Sequence, residues 1–229
     1  MRFGVLIFPG SNCAEDAFYV LSSILKKETK YIWHKDTNDL NVDAVIIPGG
    51  FTYGDYLRCG AIARFSPVMS KVYEFVEKGG IVLGICNGFQ ILTEAGLLPG
   101  SLLKNKSLKF ICSNQNLKVT NSNSVFTNKL KTGDVIHCPL AHNEGNYYVD
   151  EKTLVTLKNK NQILFQYSDE SGNINEKTNP NGSVFNIAGV MNEKGNVLGM
   201  MPHPERTSDS ILGCSDGIKI FESIINFKF

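Results

Sequence analysis

The chain has 229 residues, 42% of them hydrophobic, and its 23 Lys+Arg against 22 Asp+Glu give a formal net charge of +1. That length supports one sizeable buried core. The charge balance excludes the basic excess of a protein whose main partner is nucleic acid, and no apolar run approaches the roughly 18 residues that cross a bilayer, so no membrane association is expected.

The first half alternates strand and helix signals. "RFGVLIF" is a near-continuous apolar run, as expected of a parallel strand covered on both faces. It ends at Pro9-Gly10, where a leader peptide would need a small-residue cleavage site, so a buried first strand and a cytoplasmic protein are expected. Ser11 or Asn12 stands where it can cap the next helix, whose apolar residues Ala14, Phe18, Leu21, Ile24 and Leu25 recur at helical spacing. "KYIWH" and "DAVIIPGG" read as the second and third strands. Val68, Val72, Phe75 and Val76 mark a helix over 67–78, closed by Gly79-Gly80. "IVLGI" is a fourth strand, and "NGFQILTEA" a helix stopped at Gly96 and Pro99. This order predicts an α/β fold with an open, mostly parallel, doubly wound sheet.

The second half is β-rich. "LKFICSN", "NLKVT", "DVIHCPL", "QILFQYS", "FNIAGVMN" and "NVLGMM" are strand-like runs divided by Asn, Gly, Ser and Asp, and "MNEKGNV" reads as a hairpin turn. Ile218, Phe221, Ile224 and Ile225 give a closing helix. The polar stretch 169–183 reads as an exposed loop, and no linker separates the halves, so 1–229 is expected to be a single domain. Cys13, Cys59, Cys86, Cys112, Cys138 and Cys214 are scattered without C-x-x-C spacing, which predicts neither a disulfide framework nor a metal site.

One cysteine has a special setting. In "GICNGFQ", Cys86 lies between a strand and a helix with Gly84 and Gly88 two residues to either side. Strand, tight turn, helix is the geometry of a nucleophile elbow, where the neighbours must be small because strand and helix approach closely. A helix N-terminus also favours a thiolate. The same pattern fits a buried cysteine in a glycine-rich turn. A thiol nucleophile needs a base and a group that orients it. His203, in "MMPHPERTSD", follows a strand, and Glu205 two residues on would share its direction in extended chain; the same residues also fit a surface turn with a solvated His and Glu. His142, with Glu144, is the rival base or part of an exposed polar loop near the site, while His34 and His137 lie in strand-like runs and read as structural. Acyl transfer also needs N–H donors for an oxyanion. Asn87 supplies one, and the glycines of the turn after the third strand, Gly49-Gly50, either turn a second N–H toward the same point or form a plain strand-to-helix turn. Gln90 stands one helical turn after Cys86, either as a substrate contact or as an ordinary helix-surface residue.

These pieces together resemble the triad, or class I, glutamine amidotransferases, whose G-x-C-x-G-x-Q motif stands here as Gly84 to Gln90 and whose distal H-P-E stands as His203-Pro204-Glu205. "GGFTYGDYLRCGAIAR", "PLAHNEGNY", "NPNGS" and "GNVLGMMPHPER" resemble more narrowly the glutaminase subunits of phosphoribosylformylglycinamidine synthases, of purine biosynthesis, over essentially the whole chain. Ser113 stands where that family usually has a basic residue, and Asn143 where it usually has Gly. The resemblance implies a flavodoxin-like sheet and a Cys86-His203-Glu205 triad that hydrolyses glutamine through a γ-glutamyl thioester. It implies an oxyanion site at Gly50 or Phe51 and Asn87, and a place at the site mouth or a partner interface for Asp55 and Arg58, whose spacing by itself fits a surface ion pair on a helix. It also implies that ammonia passes to a large synthetase subunit, often with a small third subunit. No cofactor is expected on this chain, which shows no G-x-x-x-x-G-K-[ST] loop; ATP and Mg are expected on the synthetase. The alternatives are a cysteine peptidase or amidase built on the same elbow, and a non-catalytic interaction subunit.

Overall fold

The structure is a computed structural model that describes residues 1–227. Its strands are β1 (Arg2–Ile7), β2 (Glu28–Trp33), β3 (Ala44–Ile47), β4 (Ile81–Ile85), β5 (Ser101–Leu103), β6 (Ile111–Val119), β7 (Val135–His142), β8 (Asn146–Tyr148), β9 (Ile163–Ser168), β10 (Ile187–Met191) and β11 (Val197–Met200). Its helices are α1 (Ala14–Tyr19), which continues as a wider turn to Ile24, α2 (Val68–Glu77), α3 (Asn87–Glu94), α4 (Glu151–Asn159) and α5 (Ile218–Asn226).

Nine strands form one sheet in the order β2-β1-β3-β4-β11-β10-β9-β6-β7. The neighbours β2, β1, β3, β4 and β11 are all parallel. From β11 onward the sheet continues antiparallel through β10, β9, β6 and β7. The parallel part has the strand order of flavodoxin-like sheets. Every residue of β3 and β4 is buried, as parallel strands covered on both faces require. Val68, Met69, Val72 and Val76 of α2 and Ile220, Phe221 and Ile224 of α5 turn one apolar face each into the core. The β-rich half extends the same sheet past β11.

The order β3-β4-β11 matters most for function. Parallel neighbours end on the same side, so the turn after β3, the elbow after β4 and the segment after β11 emerge together. That is where open α/β sheets place their ligand sites.

Several local expectations change. "LKFICSN" and "NLKVT" are one strand, β6, because Asn114 to Asn116 pair with β7, and Asn116 also with β9, rather than forming a turn. Neither Ser11 nor Asn12 caps α1; the Ser11 hydroxyl instead accepts the Phe8 N–H at 3.0 Å, closing the turn backwards. Helix α4 has no sequence counterpart above. Only Leu157 of it is buried, so it carries no apolar stripe, although Asp150 caps it by accepting the Thr153 N–H at 2.7 Å. Strands β5 and β8, three residues each, are too short for an alternation to register.

Candidate active site

The elbow at Cys86 is strained as a nucleophile turn requires. Cys86 has φ 51° and ψ −104°, a backbone that a non-glycine residue rarely adopts. Two observations explain the flanking glycines. A Cβ on Gly84 would lie 2.8 Å from the Gly88 carbonyl, and a Cβ on Gly88 would run into the Ile47 carbonyl of β3. The strand, the helix and the neighbouring strand meet there backbone against backbone, with the Leu92 side chain also packed on Gly84. The elbow is tied down by Cys86 N–H donating to the Met200 carbonyl of β11 at 2.8 Å.

Three residues beyond Met200, His203 arrives beside Cys86. Its backbone N–H donates to the Pro139 carbonyl of β7 at 2.9 Å. Its Nδ1 lies 2.6 Å from Oε1 of Glu205, and both side chains are 1% exposed. The segment 204–207 is a 3₁₀ turn with Pro204 at its start, not extended chain. The expected contact forms, but by a different local route. Burial pushes the His203 imidazole toward its neutral form. The Glu205 carboxylate and negative charge on the Cys86 sulfur outweigh this and hold its pKa well above the ordinary value. His203 Nε2 is buried without a hydrogen-bond partner among the described residues. A base held at Nδ1 and open at Nε2 is what proton exchange with a thiol requires.

The turn after β3 completes the arrangement. A Cβ on Gly49 would lie 2.8 Å from Cε1 of His203, so this turn lies against the imidazole. Gly50 has φ 150° and is packed on Ser11 and Asn12. Asn87 is the first residue of α3, so its N–H has no helical acceptor. The Phe51 N–H, one of the two expected donors from this turn, is committed to the Gly10 carbonyl at 2.8 Å. In this conformation Gly50 and Asn87 carry the available N–H groups.

Residues 1–222 match the sequence profile of the CobB/CobQ-like glutamine amidotransferase domain. The chain belongs to this family. A Koribacter versatilis protein named phosphoribosylformylglycinamidine synthase subunit PurQ is 56% identical over 98% of this chain and 97% of its own length. An Aquifex aeolicus protein of the same name is 52% identical over 99% of this chain and 100% of its own. Among solved structures, PurLQS from Thermotoga maritima superposes with a TM-score of 0.86 at 41% identity, over 98% of this chain and 97% of that one. The glutaminase domain of Trypanosoma brucei CTPS shares the fold at 10% identity, with a TM-score of 0.60. This membership decides for a glutamine amidotransferase over the peptidase reading.

Several residues of this amidotransferase sit otherwise than the sequence suggested. Gln90 is not on the surface: it is 4% exposed and engaged at both ends of its amide. Thr52 N–H donates to Asn87 Oδ1 at 3.1 Å, Asn87 Nδ2 to Gln90 Oε1 at 2.8 Å, and Gln90 Nε2 to the Glu144 carbonyl at 2.6 Å. This row of amides pins the loop after β3 and the loop after β7 to the nucleophile helix. His142 is buried at the end of β7 rather than in an exposed loop, and its ring lies against Gly145. Burial, then the charge of His203, lower its pKa to about 4, so it stays neutral where His203 is charged. The Glu144 carboxylate faces Asp55 and Cys59 instead of His142. Asp55 does not pair with Arg58; Arg58 grips Glu94 with two bonds of 2.6 and 2.7 Å. His34 is buried and shares a 2.7 Å hydrogen bond with the Tyr53 hydroxyl, as a structural residue would, whereas His137 is exposed on β7. Ser113 and Asn143 are both exposed.

Sequence reading missed Cys13. Its sulfur accepts from Arg206 Nη2 at 3.0 Å and lies within 4.8 Å of a His203 ring nitrogen. It would also lie 3.2 Å from a Cβ on Gly49. The available signal was weak: a cysteine in the loop after the first parallel strand, at the same end of the sheet as Cys86.

Proposed function

We propose that this chain is the glutaminase subunit of a phosphoribosylformylglycinamidine synthase, with Cys86 as nucleophile, His203 as base and Glu205 as its orienting carboxylate. The observation that carries the reading is the convergence of the Cys86 elbow and the buried His203–Glu205 pair on adjacent parallel strand ends. It occurs in a chain alike over its full length to proteins of that name.

The Cys86 sulfur, its proton held by His203, attacks the side-chain amide carbon of glutamine. The C=O electron pair moves to oxygen, where the Gly50 and Asn87 N–H groups stabilise the oxyanion. The tetrahedral intermediate collapses, the C–N bond breaks, and His203 gives its proton to the leaving nitrogen, which departs as ammonia. Water, deprotonated by His203, then attacks the γ-glutamyl thioester; glutamate leaves and the thiol is restored. Glu205 keeps Nδ1 occupied so that Nε2 makes both transfers.

Ammonia passes to a synthetase subunit that holds ATP and Mg and converts formylglycinamide ribonucleotide to formylglycinamidine ribonucleotide, with a small third subunit in the assembly. The free cysteines among the described residues suit a cytoplasmic complex. The Phe51 N–H, turned to Gly10, supports weak activity of the isolated chain, with docking of the synthetase completing the site. The test is glutamate release from glutamine, with and without the copurified synthetase and its nucleotide substrate. Strong stimulation is expected; equal turnover alone and in complex would refute the subunit assignment.

A further inference from the structure

Two groups of metal-ligating side chains gather within the described residues. One, Cys13 with His203 and Glu205, is buried in the catalytic centre. The other lies at the surface and has no part in the reaction: His137, Cys214 and Asp216, whose donor atoms all lie within 4.8 Å of one another. We propose that His137, Cys214 and Asp216 form a binding site for one thiophilic divalent cation of the zinc class.

The donors come from two elements that the fold fixes against each other. Along β7, Ile136, Cys138 and Leu140 are buried while His137 points outward, 53% exposed at its side chain. Cys214 and Asp216 lie on the turn between the catalytic segment and α5. That turn is held by a bridge between Asp209 and Cys214, by Gly217 N–H donating to the Thr207 carbonyl at 2.7 Å, and by Lys219 N–H donating to the Asp216 carbonyl at 3.3 Å. Asp216 Oδ2 lies 2.9 Å from His137 Nδ1 and accepts the His137 backbone N–H at 3.0 Å. The imidazole and the carboxylate are therefore oriented before any ion arrives.

Tetrahedral zinc bonds of roughly 2.0–2.3 Å place ligand atoms about 3.5 Å apart, within the spacing of these three donors. One nitrogen, one sulfur and one oxygen make a donor set for zinc or its chemical relatives and not for calcium or magnesium, which select oxygen. The exposed face leaves the fourth position to water. Binding replaces the Cys214 S–H bond by a sulfur–metal bond and releases that proton to solvent. The charge of Lys219 acts on Asp216 and offsets part of the site's negative charge. C-x-x-C spacing could not have revealed this site, because its ligands come from distant parts of the chain.

An ion here would join β7 to the turn that follows the catalytic arm. Next to His137, Cys138 accepts from the Thr207 hydroxyl at 3.6 Å, and Pro139 accepts the His203 N–H. Occupancy would brace the strand that holds the catalytic histidine.

Cobalt(II) titration of the full chain, in a non-thiol reductant, tests the proposal by absorption. A thiolate-to-cobalt charge-transfer band with tetrahedral visible bands should saturate at one equivalent. His137→Asn, Cys214→Ser and Asp216→Asn should each weaken binding at least about tenfold, while Cys13→Ser retains the band. Zinc should raise the melting temperature of the wild type and not of Cys214→Ser, whose metal-free glutaminase activity stays at the wild-type level. A band that survives Cys214→Ser, disappears in Cys13→Ser, or never forms would overturn the assignment.

Discussion

Cys86 donates its backbone N–H to the carbonyl of Met200, the last residue of β11. Through this 2.8 Å bond the elbow after β4 and the arm carrying His203 share one anchor. The chemical partners are more than a hundred residues apart in sequence, yet each emerges just past the end of adjacent paired strands.

That anchor separates the roles of the triad. Cys86→Ala should bring glutamine hydrolysis by the assembled complex to background without loss of folding, since the N–H remains. Glu205→Gln removes the charge that orients Nδ1, and kcat should fall by about 10⁴, as for the orienting carboxylate of serine triads. Steady-state glutamate release measures both; a Glu205→Gln enzyme within tenfold of wild type would remove Glu205 from the mechanism.

The two buried histidines near the site should give pH dependences of opposite sign. His203 has a raised folded-state pKa. Its contribution to stability is complete below the unfolded value of about 6.5 and is lost as pH rises through the folded one. His142 is lowered to about 4 by burial and then by His203. The unfolded chain binds that proton first, so up to about 3 kcal/mol of stability is lost as pH falls from about 6.5 toward 4. Denaturant unfolding across pH should show a flatter alkaline limb in His203→Gln and a flatter acid limb in His142→Gln.

Gly88→Ala should damage the fold and the site together. Its Cβ would enter the Ile47 carbonyl, and backbone on both sides cannot yield cheaply. A cost of about 3 kcal/mol is expected, the upper part of the overpacking range. Urea unfolding measures it, and a loss under 1 kcal/mol would mean that α3 shifts freely on β3.

Gln90→Ala tests whether the buried amide row is architecture. Removing the side chain leaves Asn87 Nδ2 and the Glu144 carbonyl unpaired, at a cost of about 1–3 kcal/mol. A melting temperature unchanged from wild type, with only KM raised, would instead make Gln90 a substrate contact.

The alternation of apolar runs and helical stripes in the first half was legible because those elements are buried on defined faces. Helix α4 was not, since one buried leucine makes no stripe. The elbow could be read from Gly84, Cys86 and Gly88, where local sterics decide which residues fit. His203-Pro204-Glu205 could be read as a pair although the reason offered, extended chain, gave way to a 3₁₀ turn.

By itself the sequence determined the elements, the elbow and the residue types the chemistry needs, because these depend on neighbours along the chain. Only tertiary structure decided that β11 lies beside β4, that Cys13 comes beside His203 and meets Arg206, that Gln90 is buried and that Arg58 chooses Glu94 over Asp55. Those are contacts between distant segments. Strand order and backbone packing set them, and no local spacing encodes them.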